Sequence, residues 1–322
     1  MASNDDVLDC LIIGAGPAGL VAATYLIRFH RCIAVVDAGS SRAQWIPSSH
    51  NCPGFPSGVA GTALLDKLRT QAEGHGARII PGRITALQRE HEHFSASDDR
   101  GRRYRARHVL LATGIVDRMP EVAGPADALD QAVAAGELRL CAVCDGYEAS
   151  DERIAVYGPV NDAIHHAVFL RTFSRQVAAV RSRPGEPSDA CAELARAARV
   201  AVLPVPRALQ RDPDGGCSFE FDDGSRHFDT VYPVLGGDAQ SQLATALGAK
   251  VDAGGELVVD DKQQTSVDGL YAIGDVVSAL NQISVALGHA AIAASAIHGR
   301  LPHNFREDEA SQPETAAELP SP

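Results

Sequence analysis

Residues 9–39, DCLIIGAGPAGLVAATYLIRFHRCIAVVDAG, allow very few folds. An apolar run ends in Gly14-x-Gly16-x-x-Gly19, a helical pattern follows with Pro17 in its first turn, and a second apolar run closes on Asp37. That order is a βαβ unit. In this pattern the first glycine permits the tight turn, the second lets backbone approach a pyrophosphate, and the third lets the helix pack on the strand. Pro17 and Ala18 complete the turn, and Asp37 stands where an acid takes ribose hydroxyls. A ligand-free glycine turn is the bland alternative. The strand–turn–helix–strand–acid order instead predicts a dinucleotide site.

A second unit starts about 145 residues later, with RIAVYG as strand, NDAIHHAVFLRTF as helix and QVAAVRS as strand. The chain, with 322 residues, has room for two domains. Few aromatics (5%) and 45% hydrophobic residues suit close helix-on-sheet packing. The expected class is α/β, with two Rossmann-like dinucleotide-binding domains in three layers. Residues 1–116 and 248–305 are expected to form a discontinuous first domain, and 117–247 an inner one. IVDRMPEVAGP marks a crossing between them, and the acidic 306–322 is expected to be disordered. ELVVDD is read as a further strand. The net charge of −12 argues against nucleic acid as partner. No apolar run is long enough to span a bilayer, and the N-terminus lacks a signal pattern. A cytoplasmic location is therefore expected, with most of the seven cysteines reduced.

Two of those cysteines are paired, in LCAVCDGYEA. Cys141-x-x-Cys144 is compatible with half a zinc site, a static disulfide or a redox couple. Zinc needs two more ligands at similar spacing, but the other cysteines are scattered and His165–His166 are adjacent. A static disulfide fits a reducing compartment poorly. The redox couple is favoured: a CxxC at a helix start has one thiol with lowered pKa, which attacks a disulfide, and a second that resolves the intermediate. Asp145 then serves as proton donor and acceptor, its pKa raised by burial. The single cysteines are taken as small buried apolar residues.

GAGPAG, NCPGFP, LLATG, CAVCDG and QTSVDGLYAIGD occur in co-linear order over residues of about 8 to 302. Together they resemble the low-molecular-weight thioredoxin reductases. The resemblance implies an FAD domain interrupted by an inner nicotinamide domain that carries the redox pair, in a homodimer whose inner domain rotates. It implies that Cys141 and Cys144 are the pair, with Cys144 nearer the flavin and Asp145 as the acid. Gly14, Gly16, Pro17, Ala18, Gly19 and Asp37 would hold the adenine half of FAD, with Ile84 beside the adenine. Gln44, Asn51 and Pro53 would line the flavin loop. Thr113 and Gly114 of LLATG, and Gly274 and Asp275 of YAIGD, would also meet FAD. Asn281, Gln282 and Ile283 replace an Arg-Gln-Ala along the isoalloxazine. Asn281 is a departure, a neutral amide for a cation. His289 is a candidate proton relay, with a capping or surface role as the commoner alternative.

The second glycine motif also departs from the family. VYGPVNDA keeps Gly158 and Ala163, but Val160 replaces the middle glycine and Pro159 removes an N–H. Arg181 and Arg183 stand where a basic cluster meets the 2′-phosphate, although Pro184 breaks that pattern. The expectation is a thioredoxin reductase-like flavoprotein that is not a conventional NADPH user. A thioredoxin-like protein or a small disulfide would be its substrate, and a ferredoxin-type protein or a dithiol its donor. One alternative is a dithiol oxidase that passes electrons to oxygen. Another, of a different class, is a non-catalytic flavin redox sensor.

Overall fold

The computed structural model describes residues 7–277 and 280–306, so the acidic segment read as disordered lies, apart from Arg306, outside the described residues. In chain order the first elements are β1 (Leu8–Ile13), α1 (Pro17–Arg28), β2 (Ile33–Asp37), α2 (Gly61–Gly74), β3 (Ile79–Pro81), β4 (Ile84–Glu90), β5 (His93–Asp98), β6 (Arg103–Leu111) and β7 (Ile115–Asp117). Next come α3 (Ala128–Ala134), α4 (Ala142–Asp145), β8 (Arg153–Gly158), α5 (Val160–Leu170), β9 (Gln176–Arg181), α6 (Asp189–Ala198) and β10 (Ala201–Leu203). The antiparallel strands β11 (Ala208–Arg211), β12 (Cys217–Phe221) and β13 (Gly224–Phe228) precede β14 (Thr230–Pro233), β15 (Gly237–Ala239), α7 (Gln242–Thr245), β16 (Leu270–Ala272) and α8 (Ile283–Arg300).

The first sheet runs β3-β2-β1-β6-β5-β4, and β16 also pairs with β6. β6 serves two partners on one edge because it is nine residues long: Arg103–Ala106 pair antiparallel with β5, and Val109–Leu111 pair parallel with β16. Its other edge pairs parallel with β1. Alternation along β1 sends Cys10 and Ile12 to one face and Leu11 and Ile13 to the other. On the first face α1 and α8 pack through small residues, with Ala286, Ala290, Ala293 and Ile297 of α8 meeting Ala22, Ala23 and Leu26 of α1 in one core. The i, i+4, i+7, i+11 spacing makes these four residues one stripe, and the small side chains let the two helices approach closely. Each fully buried Leu or Ile in that core contributes roughly 1.5–3 kcal/mol. Arg31, 5% exposed, donates to His298 Nδ1 and to the carbonyls of His298 and Pro302, which anchors the end of α8.

The second sheet, β10-β9-β8-β14, is wholly parallel, as the second βαβ pattern requires. α5 and α6 cover one face, and α3 with the β11–β13 sheet covers the other. The chain passes between the two sheets on β7 and β15, which pair antiparallel from Ile115↔Ala239 to Asp117↔Gly237. ELVVDD, expected as a strand, makes only isolated bridges, with Leu257 facing both Val251 and Val277. The glycine turn Gly254–Gly255 and the nearby Asp252 bend the chain too tightly for a ladder. The apolar run ARIIPGRITAL forms two strands, β3 and β4, with Gly82 between them at a positive φ of 158°.

The glycine turn after β1 is a packing constraint as well. A Cβ on Gly19 would lie 2.0 Å from the Gly14 carbonyl oxygen, whereas one on Gly288, in α8, would meet nothing within 4 Å. Gly19→Ala is therefore expected to cost roughly 1–3 kcal/mol through overpacking, and Gly288→Ala to stabilise by about 0.5–1 kcal/mol. Urea unfolding of the two variants checks the contrast.

Candidate active site

β1, β2, β6 and β16 are mutually parallel, so their C-terminal ends meet at one edge of the sheet. Ligands bind at that edge in open α/β sheets. Here four sequence motifs converge: Gly14–Gly16 after β1, Asp37 at the end of β2, Thr113–Gly114 after β6 and Gly274–Asp275 after β16. They line one cavity of about 670 Å³. Gly14 has φ +104°, and a Cβ there would lie 2.3 Å from the Ala112 carbonyl oxygen. Asp37 Oδ1 accepts from the Ala15 N–H at 3.1 Å, which fixes the turn against β2. Gly16 is the N-cap of α1 and leaves the helix's first N–H groups with no side-chain cap.

Cys141 and Cys144 lie in the wall of the same cavity, joined as a disulfide. Asn51, Asn281, Gln282, Ile283, Ile84, Pro17 and Ala18 line it too. The Gln282 Nε2 sits 3.3 Å from each sulfur. The helix after Cys141, α4, is only four residues long. The helix-dipole argument for a lowered thiol pKa therefore loses most of its force, since one turn carries little of a macrodipole.

Asp145, at the end of α4, has its carboxyl pushed up to about 6 by burial. Two neighbours oppose that shift: the Tyr232 hydroxyl donates to Asp145 Oδ1 at 2.9 Å, and the Arg139 guanidinium donates to the Asp145 carbonyl at 2.9 Å. Near neutral pH this carboxyl can both give and take a proton. Neither Tyr232 nor Arg139 was identified from the sequence. Tyr232 sits in an apolar strand pattern, where an aromatic reads as core, and Arg139 stands alone.

Gln44, Gly19, Pro53 and His289 do not line the cavity. The Gln44 side chain donates to the Gly39 carbonyl at 3.3 Å, and Gly19 is held at the helix–strand contact. Arg42, not singled out from the sequence, forks onto Asp117 of β7 at 2.6 and 2.9 Å and reaches Asp275 at 3.1 Å. It links the crossing strand to the cavity wall. Among the described residues no cluster of three His, Cys, Asp or Glu is close enough to hold a metal ion. Cys10, Cys52, Cys191 and Cys217 are buried as expected, but Cys32 is exposed, because β2 begins only after it.

The second glycine motif takes a different form. Pro159 caps α5 and Val160 is its first residue. The loop after β9 folds onto this first turn, where the Ser188 N–H donates to Asn161 Oδ1 at 3.1 Å. Arg181 is already forked onto Glu186 at 2.8 and 3.0 Å, while Arg183 is exposed.

A family model for the pyridine nucleotide-disulphide oxidoreductases matches residues 8–290. The chain belongs to that family. The thioredoxin reductase of Aquifex aeolicus is 27% identical over 307 residues, covering 92% of this chain and 93% of its own. The crystal structure of thioredoxin reductase from Streptococcus pyogenes superposes with a TM-score of 0.82 at 26% identity, over 91% of this chain and 97% of that one. The crystal structure of HlmI gives 0.82 at 30% identity, over 92% of both. The protein is thus an FAD-dependent disulfide oxidoreductase of the thioredoxin reductase type. The cavity fits the flavin nucleotide: a glycine cradle that a Cβ would fill, an uncapped helix N-terminus for the pyrophosphate and an acid at the end of β2. No described helix is long and apolar enough to cross a membrane.

Asp145 yields a signed test. Its folded-state pKa of about 6 lies above the usual carboxylate value, so the folded chain holds a proton that the unfolded chain releases. Stability is then lost as pH rises from roughly 4 to 6, by up to ~3 kcal/mol. Asp145→Asn is expected to remove that slope and gain stability at pH 8. Tyr232→Phe, by removing a bond to the carboxylate, should move the slope to higher pH. Urea melts from pH 4 to 8 decide this, and an unchanged slope in Asp145→Asn contradicts the assignment.

Proposed function

We propose that the chain carries electron pairs between its flavin and a dithiol or disulfide substrate through Cys141–Cys144, and that NADPH is not its regular electron source. The observation that carries this reading is the position of the disulfide in the wall of the cavity that the glycine motifs line. When bound there, FAD supplies a two-electron couple. Gly14, Gly16 and α1 would hold its pyrophosphate, Asp37 its ribose, and Thr113, Gly274, Asp275, Asn281 and Ile283 its flavin half.

In the reduced pair, one cysteine thiolate attacks a substrate disulfide and forms a mixed disulfide. The second thiol then attacks its partner sulfur, re-forming Cys141–Cys144 and releasing the substrate as a dithiol. Asp145 protonates the departing substrate thiolate and takes the proton from the resolving thiol. The foremost substrate is a thioredoxin-like protein, with a small disulfide as the other class. The working form is a cytoplasmic homodimer.

The β8–α5 turn supports the limit on NADPH. Val160 places a branched side chain where a glycine lets pyrophosphate approach, Pro159 lacks an N–H, and the 182–188 loop is tied to Asn161. Arg181 would have to leave Glu186 to meet a phosphate, a smaller obstacle because that pair is largely exposed on its Glu186 side. Reducing equivalents then come from a ferredoxin-type protein, with flux towards the disulfide. The same turn favours a second reading, oxidation of a small dithiol at Cys141–Cys144 with oxygen as final acceptor.

Anaerobic titration of the flavin-loaded protein tests the proposal. Dithiothreitol is expected to bleach the flavin band stoichiometrically, and NADPH to do so only slowly and in excess. The Pro159→Ser/Val160→Gly double variant should speed bleaching by NADPH at least about tenfold, equivalent to ~1.4 kcal/mol. Prompt bleaching of the wild type by one equivalent of NADPH contradicts the limit on NADPH. No bleaching by dithiol contradicts the electron path itself.

A further inference from the structure

We infer that the Gln282 amide is the hydrogen-bond donor that receives the cysteine thiolate when the Cys141–Cys144 disulfide opens, and that Asn51 sets which end of that amide faces the sulfurs. The inference rests on Cys141–Cys144 as the redox pair and adds what controls its thiols. Gln282 precedes α8, and its Nε2 lies 3.3 Å from Cys141 Sγ and 3.3 Å from Cys144 Sγ. Its Oε1 is farther from Cys144 Sγ, at 3.7 Å. One NH2 group therefore spans both sulfurs.

Two backbone carbonyls, which can only accept, fix the orientation of the amides. The Asn281 carbonyl takes a bond from Gln282 Nε2 at 3.0 Å. The Val143 carbonyl, inside the CxxC itself, lies 3.5 Å from Asn51 Nδ2. With Nδ2 so placed, it also donates to Gln282 Oε1 at 2.9 Å, while Asn51 Oδ1 accepts from the Ser49 hydroxyl at 3.1 Å. Ser49 is buried and its backbone pairs with Val59, so the far end of the chain is anchored. The Gln282 oxygen is thus occupied by Asn51 and one Nε2 hydrogen by the Asn281 carbonyl, which leaves the other hydrogen facing the two sulfurs.

A substrate thiolate that attacks one sulfur of the pair forms a new S–S bond and expels the other sulfur as a thiolate. Because the amide reaches both sulfurs, either leaving sulfur meets an N–H without rearrangement. A hydrogen bond to the charged form lowers a thiol pKa, and charge-assisted bonds are the stronger class. Nearby groups would otherwise raise it. Asp145 and Glu148 follow the pair on the same segment, opposed by Arg139 and by His50, whose Nδ1 is 3.9 Å from Glu148. The single-turn α4 adds little. Gln282 is then a catalytic residue of the exchange, with Asn51 and Ser49 as positioning residues.

The test reads thiol ionisation directly. The flavin-loaded protein is reduced with dithiothreitol and desalted anaerobically. Iodoacetamide alkylation of Cys141 and Cys144 is then followed by mass spectrometry from pH 5 to 10. Gln282→Leu removes the donor without adding charge. Its more reactive thiol is expected to titrate about one pH unit higher, which slows alkylation about tenfold at low pH. Asn51→Leu keeps Gln282 but frees its amide to turn, and should shift the profile the same way by less. Unmoved flavin content and melting temperature show that the fold is intact. If Gln282→Leu loses its flavin, Asn51→Leu carries the test. A profile that superposes on wild type in whichever variant is folded overturns the inference. The outcome is separable from the electron path, since alkylation needs neither flavin reduction nor a substrate.

Discussion

Parallel pairing of β6 with β1 on one side and with β16 on the other is the constraint on which the site depends. β16 arrives about 160 residues after β6, yet its register sets Ala272 beside Leu111 as β1 sets Ile13. The turns Gly14–Gly16, Thr113–Gly114 and Gly274–Asp275 therefore face one another across one cavity mouth. Side-chain size enforces the closeness. Gly14 has no room for a Cβ against Ala112, nor Gly19 against Gly14. The small residues along α8 let it lie on α1 and deliver Gln282 from its N-terminal end.

Onto that frame the inner segment brings the disulfide, and the local electrostatics decide what it can do. Burial raises the Asp145 carboxyl to about 6, between a Tyr232 hydroxyl and Arg139. The sulfurs face an oriented amide rather than a long helix N-terminus. Arg42 completes the arrangement by forking onto Asp117, on the crossing strand, and reaching Asp275 at the cavity wall. A side chain beside the first sheet is thus tied to the connection that leads to the redox pair.

Much of this was legible in the sequence. The two βαβ units were readable because apolar runs, glycine spacing and Asp37 sit in one continuous stretch, so local pattern and tertiary role coincide. The Cys141-x-x-Cys144 pair was readable for the same reason. ELVVDD was not, since β-branched composition cannot reveal that Asp252 and a glycine turn leave its backbone only isolated partners. Gln44, expected along the flavin loop, lies outside the cavity lining, with its side chain folded back on Gly39. Tyr232 and Arg42 were silent because each acts on a residue far along the chain, 87 and 75 positions away, and Arg139 because its bond to the Asp145 carbonyl forms only once the segment between them is folded. Gln282 was picked out as a flavin neighbour, while its contact with the sulfurs depends on an Asn51 231 positions earlier.

The central claim is that the disulfide and the flavin form one electron store, and counting electrons tests it most directly. Anaerobic dithionite titration of the flavin-loaded protein, with thiols counted at the end point, is expected to consume roughly four reducing equivalents per flavin, two for each couple. Cys144→Ser, which has no disulfide to open, should consume roughly two. Wild-type uptake of only two, with Cys141 and Cys144 still bonded at full flavin reduction, would contradict the account.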